Sequence, residues 1–169
     1  LKGGRIDDLT LLAYKQELKP DSPNVVLLSP ARSANPFFAE YGWTDATGNL
    51  IAGPETVWTQ TGGSTLAPGS AIELSHEAAN GVKIRRRITI DADYLFTISD
   101  QVSNGGANNA VLYPYARVYR YGMPQTEGFY ILHEGLIGVP GEGLEEVSYS
   151  DAATDGKIFK QKKGGWFGI

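Results

Sequence analysis

The nine residues from Val82 to Ile90 alternate strictly: Val82, Ile84, Arg86, Ile88 and Ile90 fall on one side, and Lys83, Arg85, Arg87 and Thr89 on the other. A period of two marks a strand with one face against a core and one in water, and a slip of one residue would turn every side chain to the wrong face. A helix cannot satisfy that spacing, so a chain organised around this segment must be largely β. The flanks extend the pattern. Ile72-Glu73-Leu74-Ser75-His76 alternates before it, and Asn80-Gly81 supplies the φ > 0 pair favoured in a tight hairpin turn. After it, Asp91-Ala92-Asp93 turns the chain, and Tyr94 to Ser103 alternates again with Tyr94, Phe96, Ile98, Asp100 and Val102 facing one way. The expectation is a three-stranded meander.

Beyond the meander, Asn104-Gly105-Gly106-Ala107-Asn108-Asn109 is a loop by its turn chemistry, and Val111 to Tyr121 reads as a further strand. Pro114 lies within it and cannot donate to a ladder, which implies an edge or a bulge. Shorter strands are expected at Val25–Leu28, Phe37–Tyr41, Val57–Gln60, Phe129–His133, Glu145–Tyr149 and Lys157–Lys160. Turn signals between them recur at the spacing of an antiparallel β-sandwich or barrel. Asp7 to Leu18 fits either a helix or a strand over Arg5–Leu12, and the strand is preferred; Asp151 to Gly156 is expected to be a flexible loop. With 169 residues the chain fits one domain, 1–169, of a size that hides roughly 70% of its unfolded surface.

Composition removes several functions. There is no cysteine, so disulfides, thiolate nucleophiles and zinc-thiolate sites are absent. A net charge of -4, with basic residues clustered only at Arg85-Arg86-Arg87 and Lys160-Gln161-Lys162-Lys163, argues against nucleic acid. Two histidines, His76 and His133, argue against a histidine-rich metal site, and no cofactor motif is present. No apolar run approaches the roughly 20 residues of a membrane helix. The chain begins without Met and ends on Gly165-Trp166-Phe167-Gly168-Ile169, so both ends read as internal to a longer protein.

Four features carry candidate chemistry. Tyr113, Tyr115, Tyr119 and Tyr121 share one face of their strand; aromatic rows of this kind serve as cross-strand packing or as the wall of a ligand cleft. Arg86 stands on an apolar face. If the strands turn at Asp91-Ala92-Asp93, Ile90 faces Tyr94, Arg86 faces Ile98, and Asp100 lies one diagonal step away, which predicts a partly buried Arg86–Asp100 ion pair; the alternative is an arginine that snorkels to water. The basic row of Lys83, Arg85 and Arg87 is either a solvated strand face or a contact for acidic lipid or protein. His133-Glu134 is the one adjacent acid–base pair, but neighbours on a strand point apart, so no catalytic pair is expected; His76 is expected to be half-buried beside Ile72 and Leu74.

Several segments, in order, resemble the large periplasmic domain of YidC-type membrane protein insertases. They are Gly3-Gly4-Arg5-Ile6-Asp7-Asp8-Leu9 with Tyr14 and Leu18, then Arg86-Arg87-Ile88-Thr89-Ile90-Asp91, Asp93-Tyr94-Leu95-Phe96-Thr97, Val102-Ser103-Asn104-Gly105 and Leu112-Tyr113-Pro114-Tyr115. Next come Gly128-Phe129-Tyr130-Ile131-Leu132-His133-Glu134-Gly135-Leu136-Ile137-Gly138-Val139, Tyr149-Ser150-Asp151 and Lys163-Gly164-Gly165-Trp166. The resemblance implies an all-β antiparallel sandwich, a supersandwich of galactose-mutarotase-like type, truncated at its C-terminal side. It further implies a location in the periplasm, attachment to an inner-membrane protein with a five-helix insertase core, and no catalysis. The implied role is accessory: assisting insertion and folding of nascent inner-membrane proteins, docking on Sec translocon components, and holding an extended peptide or sugar-like ligand. A carbohydrate-binding or mutarotase-like domain on the same fold is the alternative, since fold alone does not decide function. A spacer without a ligand is a third reading.

Overall fold

A computed structural model of the chain describes residues 1–124, 132–139, 141–156 and 166–168. They form two compact units, Leu1–Tyr119 and Arg120–Ile169, the boundary falling at the last residue of a strand that otherwise belongs to the first. The first contains β1 (Leu9–Lys15), β2 (Asn24–Leu28), β3 (Phe37–Asp45), β4 (Leu50–Ala52), β5 (Thr59–Gly62), β6 (Ala71–Glu77), β7 (Val82–Ile90), β8 (Phe96–Asn104) and β9 (Leu112–Arg120). They make a β1-β2 ribbon, a β4-β3-β9 sheet and a β5-β6-β7-β8 sheet, and the ambiguous N-terminal segment is a strand. β9 lies at the edge of its sheet, where Pro114 removes no ladder bond from a central strand.

The meander is continuous. β6 pairs antiparallel with β7 from Ala71↔Thr89 to Glu77↔Lys83, and β7 with β8 from Val82↔Asn104 to Ile90↔Phe96. Burial along β7 alternates residue by residue, with Val82, Ile84, Arg86 and Ile88 buried and the intervening basic side chains exposed. Two members of that exposed row are paired locally, Lys83 with Glu77 at 3.2 Å and Arg87 with Glu73 at 2.7 Å. The two sheets pack face to face. Ala52 from β4, Trp58, Leu74 from β6 and Val82, Ile84 and Ile88 from β7 form one buried cluster, closed by Trp43 of β3 and Phe96, Ile98 and Val102 of β8.

Both turns of the meander differ from expectation. At Asn80-Gly81 only Gly81 has positive φ, at 84°. Gly81 N–H donates to the Ala78 carbonyl and Ala78 N–H to the Val82 carbonyl, a longer loop with a glycine bulge in place of the two-residue turn. The second turn runs through Leu95, because Asp91 Oδ1 accepts from the N–H groups of both Asp93 and Leu95 at 2.9 Å. β8 therefore starts at Phe96, and the β7–β8 register is displaced by two residues: Ile90 faces Phe96, not Tyr94, and Arg86 faces Asp100, not Ile98.

The second unit holds β10 (Gly135–Gly138), β11 (Glu145–Ser148), α1 (Tyr149–Asp155) and β12 (Phe167–Gly168), with β10 central in a three-stranded antiparallel sheet. Two expectations are corrected. Asp151 to Gly156 is not a flexible loop: Ser148 caps a helix by accepting from Asp151 N–H at 3.0 Å, Asp151 sits in the first turn, and Gly156 ends it with φ 54°. Phe129–His133 is not a strand that includes His133, because the strand begins at Gly135, where Gly135 pairs with Ser148. Residues 129–131, and the strand expected at Lys157–Lys160, lie outside the described residues. Among the described residues no helix is long and apolar enough to cross a membrane.

Candidate functional site

Three assemblies in the first unit bring together the polar and aromatic residues singled out above, or replace them. The first is built on Arg86, whose side chain is 0% exposed. β7 aims it into the interface between sheets, where Nε donates to Asp100 Oδ1 at 2.8 Å and Nη2 to Asp100 Oδ2 at 2.7 Å. Nη1 donates to the Gly4 carbonyl at 3.2 Å and to the Tyr41 carbonyl at 3.1 Å. The guanidinium also lies 4.7 Å from the centre of the Trp58 ring. Asp100 accepts a further bond from Trp43 Nε1 at 2.8 Å, so one bidentate pair ties β7 and β8 to β3 and the N-terminal segment. Burial raises the Tyr41 phenol above its ordinary pKa, against the opposing effect of Arg86. All three nitrogens of this buried guanidinium are engaged within the chain, and its chemistry is that of a structural tie.

The second is on the other face of β3. Glu40, 0% exposed, accepts from the Tyr115 hydroxyl at 3.1 Å and lies 2.9 Å from Arg117 Nη2 through the same oxygen, Oε1. Its second oxygen, Oε2, has no hydrogen bond and is 3.6 Å from Arg5 Nη1. The Tyr115 ring lies across β3 at Gly42, where a Cβ would come within 2.4 Å of it. Burial, followed by the Glu40 charge, pushes the Tyr115 phenol up to about 12. Tyr119 stacks on Phe38 with centroids 5.2 Å apart. Tyr115 and Tyr119 thus contact β3, although Tyr119 is exposed, as are Tyr113 and Tyr121. The sequence carries a signal for Glu40: a lone carboxylate in Phe37-Phe38-Ala39-Glu40-Tyr41, the counterpart of Arg86 in its own apolar row.

The third is an apolar trough between the β1–β2 ribbon and the sheets. A cavity of about 590 Å³ is lined by Leu9, Leu11, Leu28, Tyr41, Tyr94 and Phe96 among others. A second, of about 420 Å³, lies against Leu66, Leu74 and Ile88 and shares Ile6, Leu9, Ile90 and Phe96 with the first. Leu12, Tyr14 and Tyr94, also on the larger cavity, are 79%, 64% and 75% exposed, so the lining continues onto the surface. Neither histidine belongs to these assemblies. His76 packs on Trp58 with ring centroids 5.7 Å apart, and His133 in the second unit has Nε2 3.2 Å from the Leu136 carbonyl oxygen. No group of three or more His, Asp or Glu is placed to hold a metal among the described residues.

Among the described residues, which are mostly β, the buried charges Arg86 and Glu40 tie strands together, and an apolar trough opens to the surface. The chain belongs to the YidC periplasmic domain family, whose model matches residues 1–169. It is 43% identical to the membrane protein insertase YidC of Methylorubrum extorquens (strain PA1), with 100% of this chain and 29% of that protein covered. The YidC of Bradyrhizobium diazoefficiens is 43% identical over 100% of the chain and 28% of its own length. That of Sinorhizobium medicae is 42% identical over 100% and 29%. The chain therefore spans less than a third of the relatives it matches. No solved structure matches it. As a domain of this family it is the periplasmic part of an inner-membrane protein.

Proposed function

We propose that the domain is an accessory module of a membrane protein insertase, assisting insertion and folding of nascent inner-membrane proteins by holding extended apolar segments in the trough beneath the β1–β2 ribbon. The observation that carries this reading is the open apolar cavity of about 590 Å³ with exposed Leu12, Tyr14 and Tyr94 around it. Its lining is aliphatic and aromatic, which suits a polypeptide. A sugar would need a dense set of hydrogen-bond partners that Leu9, Leu11 and Leu28 do not offer. Family membership supports nascent membrane proteins as the partner. Docking on Sec components belongs to the same reading, as a second use of the exposed apolar surface.

The test is photo-cross-linking in the intact parent protein, with the cross-linker at Leu12 or, as a comparison, at the exposed Tyr113 on β9. The reading expects nascent membrane proteins to label at Leu12 and little at Tyr113. Equal or stronger labelling at Tyr113 would move the site to the tyrosine row and away from the trough. Deleting the domain in a depletion–complementation assay should leave most insertion intact. Loss of all insertion by a deletion variant that remains stable and membrane-embedded would show the role to be essential, not accessory.

A further inference from the structure

We infer that the trough grips its polypeptide by main-chain pairing: the bound segment lies extended and adds a strand to the open edge of β1. The inference rests on the proposed holding of polypeptide and adds how the segment is held. β1 has one strand neighbour among the described residues, β2, so its second edge is unpaired. The lining of the larger cavity shows where that edge points. Residues 9–14 of β1 all line it, without a gap. Neighbouring side chains on a strand point to opposite faces, so a cavity lying under one face would meet every second residue. Val26 and Val25, the cross-strand partners of Thr10 and Leu11, do not line it. A cavity that meets both faces of β1 and misses those partners runs along the edge turned away from β2.

Two further features fit this edge to an uncharged strand. The first is charge. Open edges are commonly guarded by Lys, by other charges or by Pro. Residues 9–14 carry neither a charge nor a proline, and Lys15, which ends the strand, is outside the lining. No residue lining the cavity is charged, so the edge and the rest of the wall suit a neutral stretch of chain. The second is register. Pairing jumps from Leu11↔Val25 to Lys15↔Asn24, which leaves Leu12, Ala13 and Tyr14 without counterparts in β2, and all three are exposed. An open edge recognises another backbone through its N–H and C=O groups whatever the side chains, while the wall beside it selects by apolarity. Tyr41, Ile90 and Phe96 belong to that wall. Six residues of extended strand span roughly 20 Å, which sets the length of segment held.

The experiment uses the full-length parent protein with the cross-linker at Tyr94, which lies on the cavity but outside β1, so the edge itself is unaltered. Two nine-residue probes alternate Leu and Ser. One is an ordinary peptide; the other is N-methylated at every residue, which keeps the side chains and removes the main-chain donors. Concentration dependence of labelling should show the methylated probe binding about tenfold more weakly, or worse. With the ordinary probe bound, amide hydrogen exchange should slow within residues 9–14 and stay unchanged along β9. Equal labelling by the two probes would overturn strand addition and leave the holding function standing. A loss on methylation without slowed exchange in residues 9–14 would overturn the assignment to β1. Absence of labelling by both probes would remove the holding function and strand addition together.

Discussion

Arg86 and Glu40 are charges buried on either side of β3, yet they are treated differently. Arg86 makes four hydrogen bonds, two to Asp100 and two to carbonyls, and its carboxylate partner is only 11% exposed. Glu40 has one oxygen bonded and one without a hydrogen bond, and its cation partners Arg117 and Arg5 are 51% and 14% exposed. A charge in a saturated network becomes a liability the moment one partner is removed, because the survivor keeps no access to water. A charge whose partners reach solvent can be relieved by small movements. The first arrangement fixes the alignment of two sheets; the second fastens β9 and the N-terminal segment to one strand and tolerates more.

The largest effect should come from cutting the saturated network. Arg86→Ala or Asp100→Ala should each cost about 3–5 kcal/mol in urea denaturation, and the double variant should cost far less than their sum. Additive losses would mean that the pair contributes nothing beyond its separate side chains. Glu40→Gln should be milder, about 1–2 kcal/mol, since Arg117 turns to solvent; a loss equal to that of Arg86→Ala would erase the distinction between the two sites. Tyr115→Phe removes one hydrogen bond to a charge, and about 1.5 kcal/mol is expected.

The smallest and most selective effect is one of pH. Tyr115 is raised to about 12 in the folded chain, against an ordinary phenol near 10. The folded state therefore holds a proton that the unfolded state releases first. This contribution is fully present below about pH 10 and is lost as pH rises from there through about 12. A phenolate absorbance titration of Tyr115→Phe should lose one late-ionising tyrosine, while the raised Tyr41 remains. An unchanged titration curve in that variant would place the late ionisation elsewhere.

Parity explains what was legible in the sequence. Alternation in Val82–Ile90 and Tyr94–Ser103 places residues on faces whatever the turn length, provided the error is even. The turn at Asp91 is two residues longer than Asp91-Ala92-Asp93 alone implies, and Asp100 stays on the face of Arg86, directly opposite it instead of diagonal. The turn length itself was not legible, because a tyrosine in the left-handed region has no sequence signature of the kind Gly or Asn supplies. Nor was the trough, whose lining comes from β1, β2, β3 and the β7–β8 turn and is assembled only by tertiary packing. The four tyrosines were legible as a row, but nothing in the row announced that Gly42 and Glu40 would receive Tyr115. The short helix α1 was missed because Ser148 and Asp151 are turn formers as readily as caps.

Gly42 gives this architecture a genetic consequence. A methyl group there would meet the Tyr115 ring and the Ala52 carbonyl oxygen, both at 2.4 Å. A second-site change that shrinks Tyr115 would clear only half the collision, because the carbonyl belongs to the backbone and cannot be mutated away. Gly42 is therefore a position from which no neighbouring sequence is reached by single compensated steps. An allele such as Gly42→Ala would be selected against through the amount of folded protein in the cell, without altering any residue of the trough.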